Sequence, residues 1–188
     1  MPFAPPNEIA TQRLVLRRWR TTDAPLLKAA IDANLEHLQA WMPWALAEPS
    51  PLDVVEQRLA LFEKQFDSGT EWLYGIRSRA NDELLGGTGL HPRIGPEGLE
   101  IGYWLQASAT GKGFATEAAR ALTEVALDQP GIERVQIRCD PHNVASAAIP
   151  KRLGYRHIVT IESEHLTPLG AKRDTMVWEI TRNGTLEG

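Results

Sequence analysis

A short glycine-rich loop leads directly into a helix with an apolar stripe between residues 110 and 117, where the chain reads Thr-Gly-Lys-Gly-Phe-Ala-Thr-Glu. Gly111 and Gly113 have no Cβ atom, so the backbone can turn tightly there and direct its N–H groups outward. The helix that follows adds unpaired N–H groups and the positive end of its dipole. Together these features are typical of a site that binds phosphate or pyrophosphate.

The spacing of the glycines disfavours two common phosphate-binding loops. A Walker loop requires a glycine five residues before Gly111 and a Ser or Thr after the lysine. This chain has Gln106 and Gly113 at those positions. The dinucleotide fingerprint requires a third glycine or alanine where Thr116 stands. The remaining alternative is an ordinary loop whose glycines only allow a helix to begin.

Apolar periodicity and turn residues around this loop predict a mixed α/β chain. Helical spacing predicts helices over 23–37, 52–66, 114–128 and 144–153. Strand-like runs occupy 13–19, 72–77, 84–91, 99–105, 135–139, 155–162 and 174–180. Short turns between 72 and 105 predict an antiparallel meander. The order strand, loop, helix, strand over 99–139 predicts that the two strands flanking the long helix run parallel.

Composition and charge exclude several functional classes. The chain has 20 Lys+Arg against 24 Asp+Glu and a formal charge of −4, which argues against general nucleic-acid binding. Cys139 is the only cysteine, and the five histidines are dispersed, so no disulfide framework and no metal site are expected. No apolar run approaches the roughly 18 residues of a membrane span.

The same properties predict the organisation of the chain. At 188 residues, a single domain is the default, and residues 11–182 are expected to form it. Segments 1–10 and 183–188 are expected to be flexible tails. The proline-rich start lacks the basic and apolar regions of a signal peptide, so we expect a cytoplasmic protein.

Four blocks of sequence follow one another along the chain: EIGYWL at 100–105, GKGFATEA at 111–118, RCDPHNVAS at 138–146 and KRLGY at 151–155. In this order they resemble the GNAT superfamily of N-acetyltransferases. The sequence WMPW at 41–44 is similar to a signature of the RimJ/RimL branch, which acetylates N-terminal amines of ribosomal proteins and other amines. The resemblance covers about residues 11–182. It implies the α/β (α+β) GNAT fold: a mixed, mostly antiparallel sheet of six to seven strands, with a central parallel pair splayed for CoA and about four helices.

The resemblance also implies acetyl-CoA as co-substrate and no metal. In the family, the pattern Gln/Arg-x-x-Gly-x-Gly/Ala binds the CoA pyrophosphate through backbone amides, and Thr110 departs from its first position. The backbone of the strand end is expected to pair with the pantetheine arm like an added strand. Asn143 matches the family's pantetheine-contacting asparagine, and its position equally suits the N-cap of the next helix. The implied cofactor-binding residues are Trp104, Leu105, Gln106, Thr110, Gly111, Lys112, Gly113, Phe114, Ala115, Thr116 and Asn143.

Acetylation of an amine requires a base for the acceptor. A lysine-like amine with a pKa of ~10.4 costs roughly 4–5 kcal/mol to deprotonate at pH 7, whereas an N-terminal α-amine near ~7.7–8.0 costs only about 1 kcal/mol. Glu100 is the leading base candidate, because it shares a strand face with Gly102 and Trp104 and the glycine leaves a notch between them. A solvated ion pair is the alternative role for Glu100, and Glu162 is the competing carboxylate. Whether the base acts directly or through water stays open.

The departing thiolate requires an acid. Ser146 matches the family's serine beside the CoA sulfur and is the candidate, although it could also be an ordinary small helix residue. Pro150 lies four residues later, and its ring clashes with the Ser146 carbonyl. We therefore expect a kink in this helix and a Ser146 carbonyl freed from its normal partner.

The acceptor site is the least defined part of the sequence. Aromatic and imidazole side chains are predicted to line it, namely Trp41, Trp44, Trp72 and His91. The expected acceptor is a peptide N-terminus or a small-molecule amine, with no nucleic acid or membrane partner, and the chain is expected to be a monomer or homodimer. An acyl group longer than acetyl is not excluded. The alternative function is a non-catalytic module that binds acyl-CoA but has lost the chemistry.

Overall fold

The structure is a computed structural model, and it describes residues 4–166 and 172–187. Its strands are β1 (Glu8–Ala10), β2 (Leu14–Arg18), β3 (Trp72–Ser78), β4 (Leu84–His91), β5 (Gly98–Leu105), β6 (Arg134–Cys139), β7 (Arg156–Leu166) and β8 (Lys172–Thr181). Its helices are α1 (Ala24–Asp32), α2 (Leu35–Gln39), α3 (Leu52–Ser68), α4 (Phe114–Asp128) and α5 (Val144–Arg152). All seven predicted strands are present.

The first predicted helix is divided in two at Asn34. This residue has a φ of −130°, outside the helical region. Its side chain serves other backbone groups: the amide donates to the Ala30 carbonyl at 2.8 Å, and Oδ1 accepts from the Ala107 N–H at 2.8 Å. Asparagine breaks helices by this kind of competition with backbone hydrogen bonds. The periodicity of apolar residues alone does not show it.

The strands form one mixed sheet in the order β1-β2-β3-β4-β5-β6-β8-β7. Only β5 and β6 are parallel, and α4 connects them; the other neighbours are antiparallel. The predicted meander and parallel pair are thus confirmed. The sheet has eight strands rather than six or seven, and the additional strand is β1.

The two faces of the sheet carry two separate apolar clusters. Trp72, Tyr74 and Ile76 of β3 belong to the larger cluster, which also contains buried residues of α4 and α5. Leu73 packs against the smaller cluster, which is built mainly from α1 and α3. Since successive side chains of a strand point to opposite faces, this alternation assigns one helical layer to each face.

The expectation that residues 1–10 form a flexible tail is wrong for residues 8–10. Glu8–Ala10 pairs with β2, and Ile9 packs against the larger apolar cluster, so residues 8–10 belong to the folded body. At the other end, the Glu187 N–H donates to the Leu153 carbonyl at 3.3 Å and Leu186 packs on the same cluster. Residues 1–3, 167–171 and 188 lie outside the described part of the chain.

Candidate active site

The parallel strands β5 and β6 separate part-way along their length. They pair from Gly98 opposite Arg134 to Ile101 opposite Ile137. β5 then continues to Leu105, while β6 remains paired with β8 as far as Cys139. The sheet therefore opens after Ile101, and a cavity of about 900 Å³ has lining residues on both sides of this opening.

The floor of the cavity is bare backbone. Gly87 and Gly89 of β4 and Gly102 of β5 line it, and Gly89 pairs with Gly102. A Cβ atom on Gly87 would lie 2.5 Å from the Trp104 indole nitrogen, and one on Gly102 would lie 3.1 Å from Nε2 of His91. The glycines thus let two side chains lie flat over the sheet. The space predicted above Gly102 is occupied by the His91 ring.

The glycine loop has the conformation that its residues suggest. Gly111 and Gly113 have φ values of +73° and +79°, in the left-handed region that favours glycine. The helix begins at Phe114, and the Glu117 N–H is bonded to the Gly113 carbonyl at 3.0 Å. The N–H groups at such a helix start lack intrahelical partners and point outward. A Cβ atom on Gly111 would meet nothing within 4 Å, so the loop lies open to an approaching anion.

The turn between β1 and β2 holds this loop in place, which the sequence did not predict. Arg13 donates to the Lys112 carbonyl at 2.9 Å and to the Glu117 carboxylate at 2.7 Å, and its guanidinium lies 4.8 Å from the centre of the Phe114 ring. The Thr11 hydroxyl donates to the same carboxylate at 2.6 Å. Arg13 and Glu117 are separated by 104 positions, so no local pattern could pair them.

The helix α5 brings Asn143 and Ser146 to the opening. Oδ1 of Asn143 accepts a hydrogen bond from the Ser146 N–H at 3.0 Å, so the capping role is present. Both residues line the cavity, as does Cys139 at the end of β6. Burial raises the pKa of the Cys139 thiol to about 11, although hydrogen bonds oppose the rise, so the thiol stays protonated at neutral pH.

The Ser146 carbonyl accepts a hydrogen bond from a side chain, because Pro150 cannot supply the usual helical N–H. Proline has no N–H, and the Tyr103 hydroxyl donates to this carbonyl at 3.3 Å. The same hydroxyl lies 3.1 Å from Oγ of Ser146. Burial raises the pKa of Tyr103 well above its usual range, so this phenol stays protonated. A tyrosine that the strand pattern assigns to the core thus forms a hydroxyl pair with the candidate acid across the opening.

Glu100 lies in the cavity wall, but it is not a free carboxylate. It is only 5% exposed, and both of its oxygens accept hydrogen bonds from Arg93. Arg138 of β6 adds a second guanidinium, with Nε 3.5 Å from Oε2. The ion pair considered for Glu100 is present: its carboxylate is buried, whereas the Arg93 side chain is 58% exposed. The lone pairs that a base would use are therefore directed at two arginines.

His91 pairs with a different carboxylate. Its Nδ1 lies 2.5 Å from Oε1 of Glu71, the residue that precedes β3. The hydrogen bond with His91 lowers the pKa of Glu71 despite partial burial, so this carboxylate is ionised at neutral pH. The His91 ring lies directly opposite Glu100 in the β4–β5 register and lines the cavity.

Tryptophans form the wall opposite the floor. Trp41 and Trp44 line the cavity together with Trp104, and the rings of Trp44 and Trp104 meet edge to face with centroids 6.0 Å apart. Trp72 does not reach the cavity: it is 4% exposed within the larger apolar cluster, on the opposite face of β3. The prediction that Trp72 contacts the acceptor is therefore wrong. Successive side chains of a strand point to opposite faces, so Trp72 points away from the cavity that its neighbours Glu71 and Leu73 line.

The remaining predicted residues are placed as follows. Trp104 and Leu105 belong to β5 beyond the point where β6 parts from it, and Gln106 follows, its N–H bonded to the Leu85 carbonyl at 2.8 Å. The Thr110 hydroxyl donates to the Ala107 carbonyl at 2.8 Å, so this side chain serves the loop itself. Glu162 is exposed on β7 and does not line the cavity.

Within 4–166 and 172–187, no group of three or more histidine, cysteine or acidic side chains is arranged to hold a metal ion. No helix in this part of the chain has the length and apolarity needed to cross a membrane.

Comparison with known proteins places this geometry in context. The chain is 31% identical over 149 residues to the uncharacterized N-acetyltransferase YnaD of Bacillus subtilis (strain 168), covering 79% of this chain and 82% of that protein. Its fold is similar to a structure of RimL, the ribosomal L7/L12 alpha-N-protein acetyltransferase, in complex with coenzyme A: the TM-score is 0.84 at 21% identity, covering 93% and 97% of the two chains. The microcin C7 self-immunity acetyltransferase MccE, in complex with acetyl-CoA and AMP, has a TM-score of 0.83 at 19% identity, covering 91% and 93%.

The fold and the site, taken with these relatives, define an enzyme that transfers acetyl groups. Residues 13–156 match the acetyltransferase (GNAT) domain, and the chain belongs to that family. The resemblance of the four sequence blocks to the GNAT superfamily is thereby confirmed.

Proposed function

We propose that this enzyme transfers the acetyl group of acetyl-CoA to a primary amine, which attacks the thioester directly while both substrates are bound. One observation carries the proposal: a single cavity is lined by residues at the parted strands and by the tryptophan wall. A donor that enters from the glycine loop and an acceptor that enters between the tryptophans would meet at Gly102.

The residues on the donor side fit a CoA thioester. The open N–H groups at the start of α4 suit a pyrophosphate, and the unpaired edge of β5 suits an amide-containing arm. The RimL structure is a complex with coenzyme A and the MccE structure a complex with acetyl-CoA and AMP, which supports the same donor here.

The hydroxyl pair is suited to the leaving group. Oγ of Ser146 lies within hydrogen-bond distance of the Tyr103 phenol, which burial keeps protonated. We assign to Ser146 the donation of a proton to the departing thiolate, with Tyr103 holding its hydroxyl in place. Cys139, also protonated and in the same wall, adds apolar surface beside the thiol.

The acceptor side favours an amine attached to an apolar or planar group. Trp41, Trp44 and Trp104 supply aromatic surface, while the charged groups nearby are mostly consumed in pairs such as Arg93 with Glu100. An N-terminal α-amine fits this site well, because it titrates near ~7.7–8.0 and needs only a weak base. A small-molecule amine with a planar group is the other acceptor class that the wall would admit.

The proposal is tested by measuring thiol release from acetyl-CoA with a panel of peptides and small amines, with mass spectrometry of the products. We expect release to depend on one acceptor class and the product to gain one acetyl group. Ser146→Ala is expected to lower kcat and leave acetyl-CoA binding intact. Binding of acetyl-CoA without turnover on any acceptor would instead support the non-catalytic acyl-CoA-binding module.

A further inference from the structure

We infer that His91 is the general base of this site and that Glu71 positions it, a pair that takes over the role expected of Glu100. The inference rests on the proposed transfer of an acetyl group to an amine. It identifies the residue that removes the proton from the acceptor ammonium group.

The position of the imidazole carries the first part of the argument. Nε2 of His91 would lie 3.1 Å from a Cβ atom on Gly102 and 3.4 Å from one on Gly89, so this nitrogen is suspended over the glycine floor. Gly102 is the first residue of β5 beyond its pairing with β6. The nitrogen therefore lies against the floor at the point where β5 parts from β6, and the glycines place no side chain beneath it.

The partner of the other ring nitrogen fixes the protonation pattern. Glu71 is ionised, since its hydrogen bond with His91 lowers its pKa, and an ionised carboxylate can only accept hydrogen bonds. Nδ1 must therefore carry the proton of the 2.5 Å contact. In the neutral ring, this leaves the lone pair on Nε2, the atom that lies over Gly102 in a ring that lines the cavity. Carboxylate–imidazole pairs orient catalytic bases in the same way in other enzymes.

Competing carboxylates are less suited to this role. Glu100 directs both oxygens at Arg93 and has Arg138 beside it, so a substrate ammonium group would have to displace a guanidinium. Glu162 is exposed on β7, away from the cavity lining. Among the carboxylates considered, neither offers an unengaged lone pair at the floor.

The proton balance of the transfer is complete with these groups. Nε2 accepts one proton from the acceptor ammonium group, and the freed amine forms a bond to the acetyl carbon as the carbon–sulfur bond breaks. Ser146 gives its hydroxyl proton to the departing thiolate, and the second proton lost from the nitrogen restores that hydroxyl, which Tyr103 holds in place. The imidazolium then releases its proton to water, so the net products are the acetylated amine, CoA thiol and one proton.

Several charged groups surround His91. Glu71 contacts it from the start of β3, and Glu100 lies opposite it on β5 with Arg93 attached. Arg58 of α3, paired with Glu48, and Arg138 of β6 line the same cavity. Protonation of the imidazole removes the base, so kcat/KM for the acceptor is expected to fall on the acid side of the profile.

The test compares His91→Gln and Glu71→Gln with the full-length protein, using an N-terminal peptide that the acceptor panel has identified. We expect His91→Gln to lower kcat/KM at pH 7 by about 5- to 10-fold, because an α-amine with a pKa near ~7.7–8.0 is protonated by roughly that excess at this pH. Its residual rate should rise steadily with pH, because only amine that is already deprotonated reacts. Glu71→Gln should lower kcat less than His91→Gln does and leave the acceptor KM unchanged, because the imidazole stays in the cavity but loses the carboxylate that orients it.

Two further measurements separate a chemical role from a structural one. Added imidazole should partly restore the rate of His91→Ala and leave the wild type unchanged. The matched control is His142→Gln: His142 also contacts a carboxylate, Asp140 at 2.9 Å, but its side chain is 86% exposed and outside the cavity lining, so the rate should not change.

The outcomes distinguish this inference from the proposed function. Wild-type protein that acetylates no amine overturns the proposed function itself. Wild-type protein that turns over, with His91→Gln binding coenzyme A normally and keeping the wild-type pH profile, overturns only the assignment of His91. Isothermal titration with coenzyme A identifies a variant that has simply lost its fold.

Discussion

The donor side and the acceptor side of the cavity are built in different ways. The donor side comes from one continuous stretch, β5 through the start of α5, and uses mainly backbone: the parted strand edge, the left-handed glycines and the helix start. The acceptor side is assembled from segments far apart in the chain, and it uses side chains such as Trp44 and His91. The donor side should therefore respond to changes in backbone conformation, and the acceptor side to changes in side chains.

The largest expected effect is an exception to this division, because it comes from a side chain on the donor side, that of Tyr103. Tyr103→Phe leaves the Ser146 carbonyl without its hydroxyl partner, which should lower the free energy of unfolding by about 1–3 kcal/mol and also lower kcat. Urea denaturation and steady-state kinetics measure the two effects. Tyr155→Phe is the control: its hydroxyl bonds Thr123 in the core, so stability should fall while kcat holds.

Gly113→Val would sharpen the comparison. A left-handed conformation costs an L-residue about 1–2 kcal/mol, and a Cβ atom here would lie 3.3 Å from the Arg13 guanidinium. We expect acetyl-CoA to bind about 5- to 30-fold more weakly by isothermal titration. Lys112→Ala, which keeps the loop backbone, should bind nearly normally; an equal loss in both variants would show that side chains hold the donor.

Trp44→Ala tests the opposite side. Loss of the edge-to-face contact with Trp104, worth about 0.5–1.5 kcal/mol, should raise the acceptor KM by roughly 2- to 12-fold without changing the KM for acetyl-CoA. Leu46→Ala changes an exposed residue of the same turn that does not line the cavity, and it should alter neither constant. A matching rise in the KM for acetyl-CoA would contradict the division into two sides.

The smallest expected effect concerns acid stability. Burial alone raises the pKa of Glu117, but hydrogen bonds from Thr11 and Arg13 lower it overall. A carboxylate with a lowered pKa stabilises the fold above its unfolded value of 4.5, and this contribution is lost as the pH falls through the lower, folded value. Thermal melts should therefore show a steeper loss of stability below this pH for the wild type than for Glu117→Gln. Glu124→Gln, at an exposed site on the same helix, should follow the wild type.

The sequence predicted the donor side well because its signals are local. The glycines, the start of α4 and the parallel pair follow from residues that are adjacent along the chain. Even the freed Ser146 carbonyl followed from Pro150, four positions away. What the sequence did not supply was the partner of that carbonyl, because Tyr103 alternates toward the core and reaches Ser146 only where the strands part.

The acceptor side was predicted less completely for a physical reason. Glu100 and His91 were both singled out, yet their roles depend on which charged residue folds against each one. Arg93 returns through a turn to cover Glu100, and Glu71 comes from the beginning of another strand to meet His91. Trp72 was assigned to the wrong face because its distance from the other tryptophans in the chain says nothing about strand alternation.

The hydrogen bonds between Arg13 and the glycine loop have a practical consequence for the preparation of this enzyme. Thr11 and Arg13 lie near the start of the chain and hold the glycine loop through Glu117, more than a hundred positions away. A cleavable tag, a truncation or a proteolytic cut near Thr11 should therefore change the affinity for the acetyl donor. Recombinant versions that differ only in their leading residues should not be assumed kinetically equivalent.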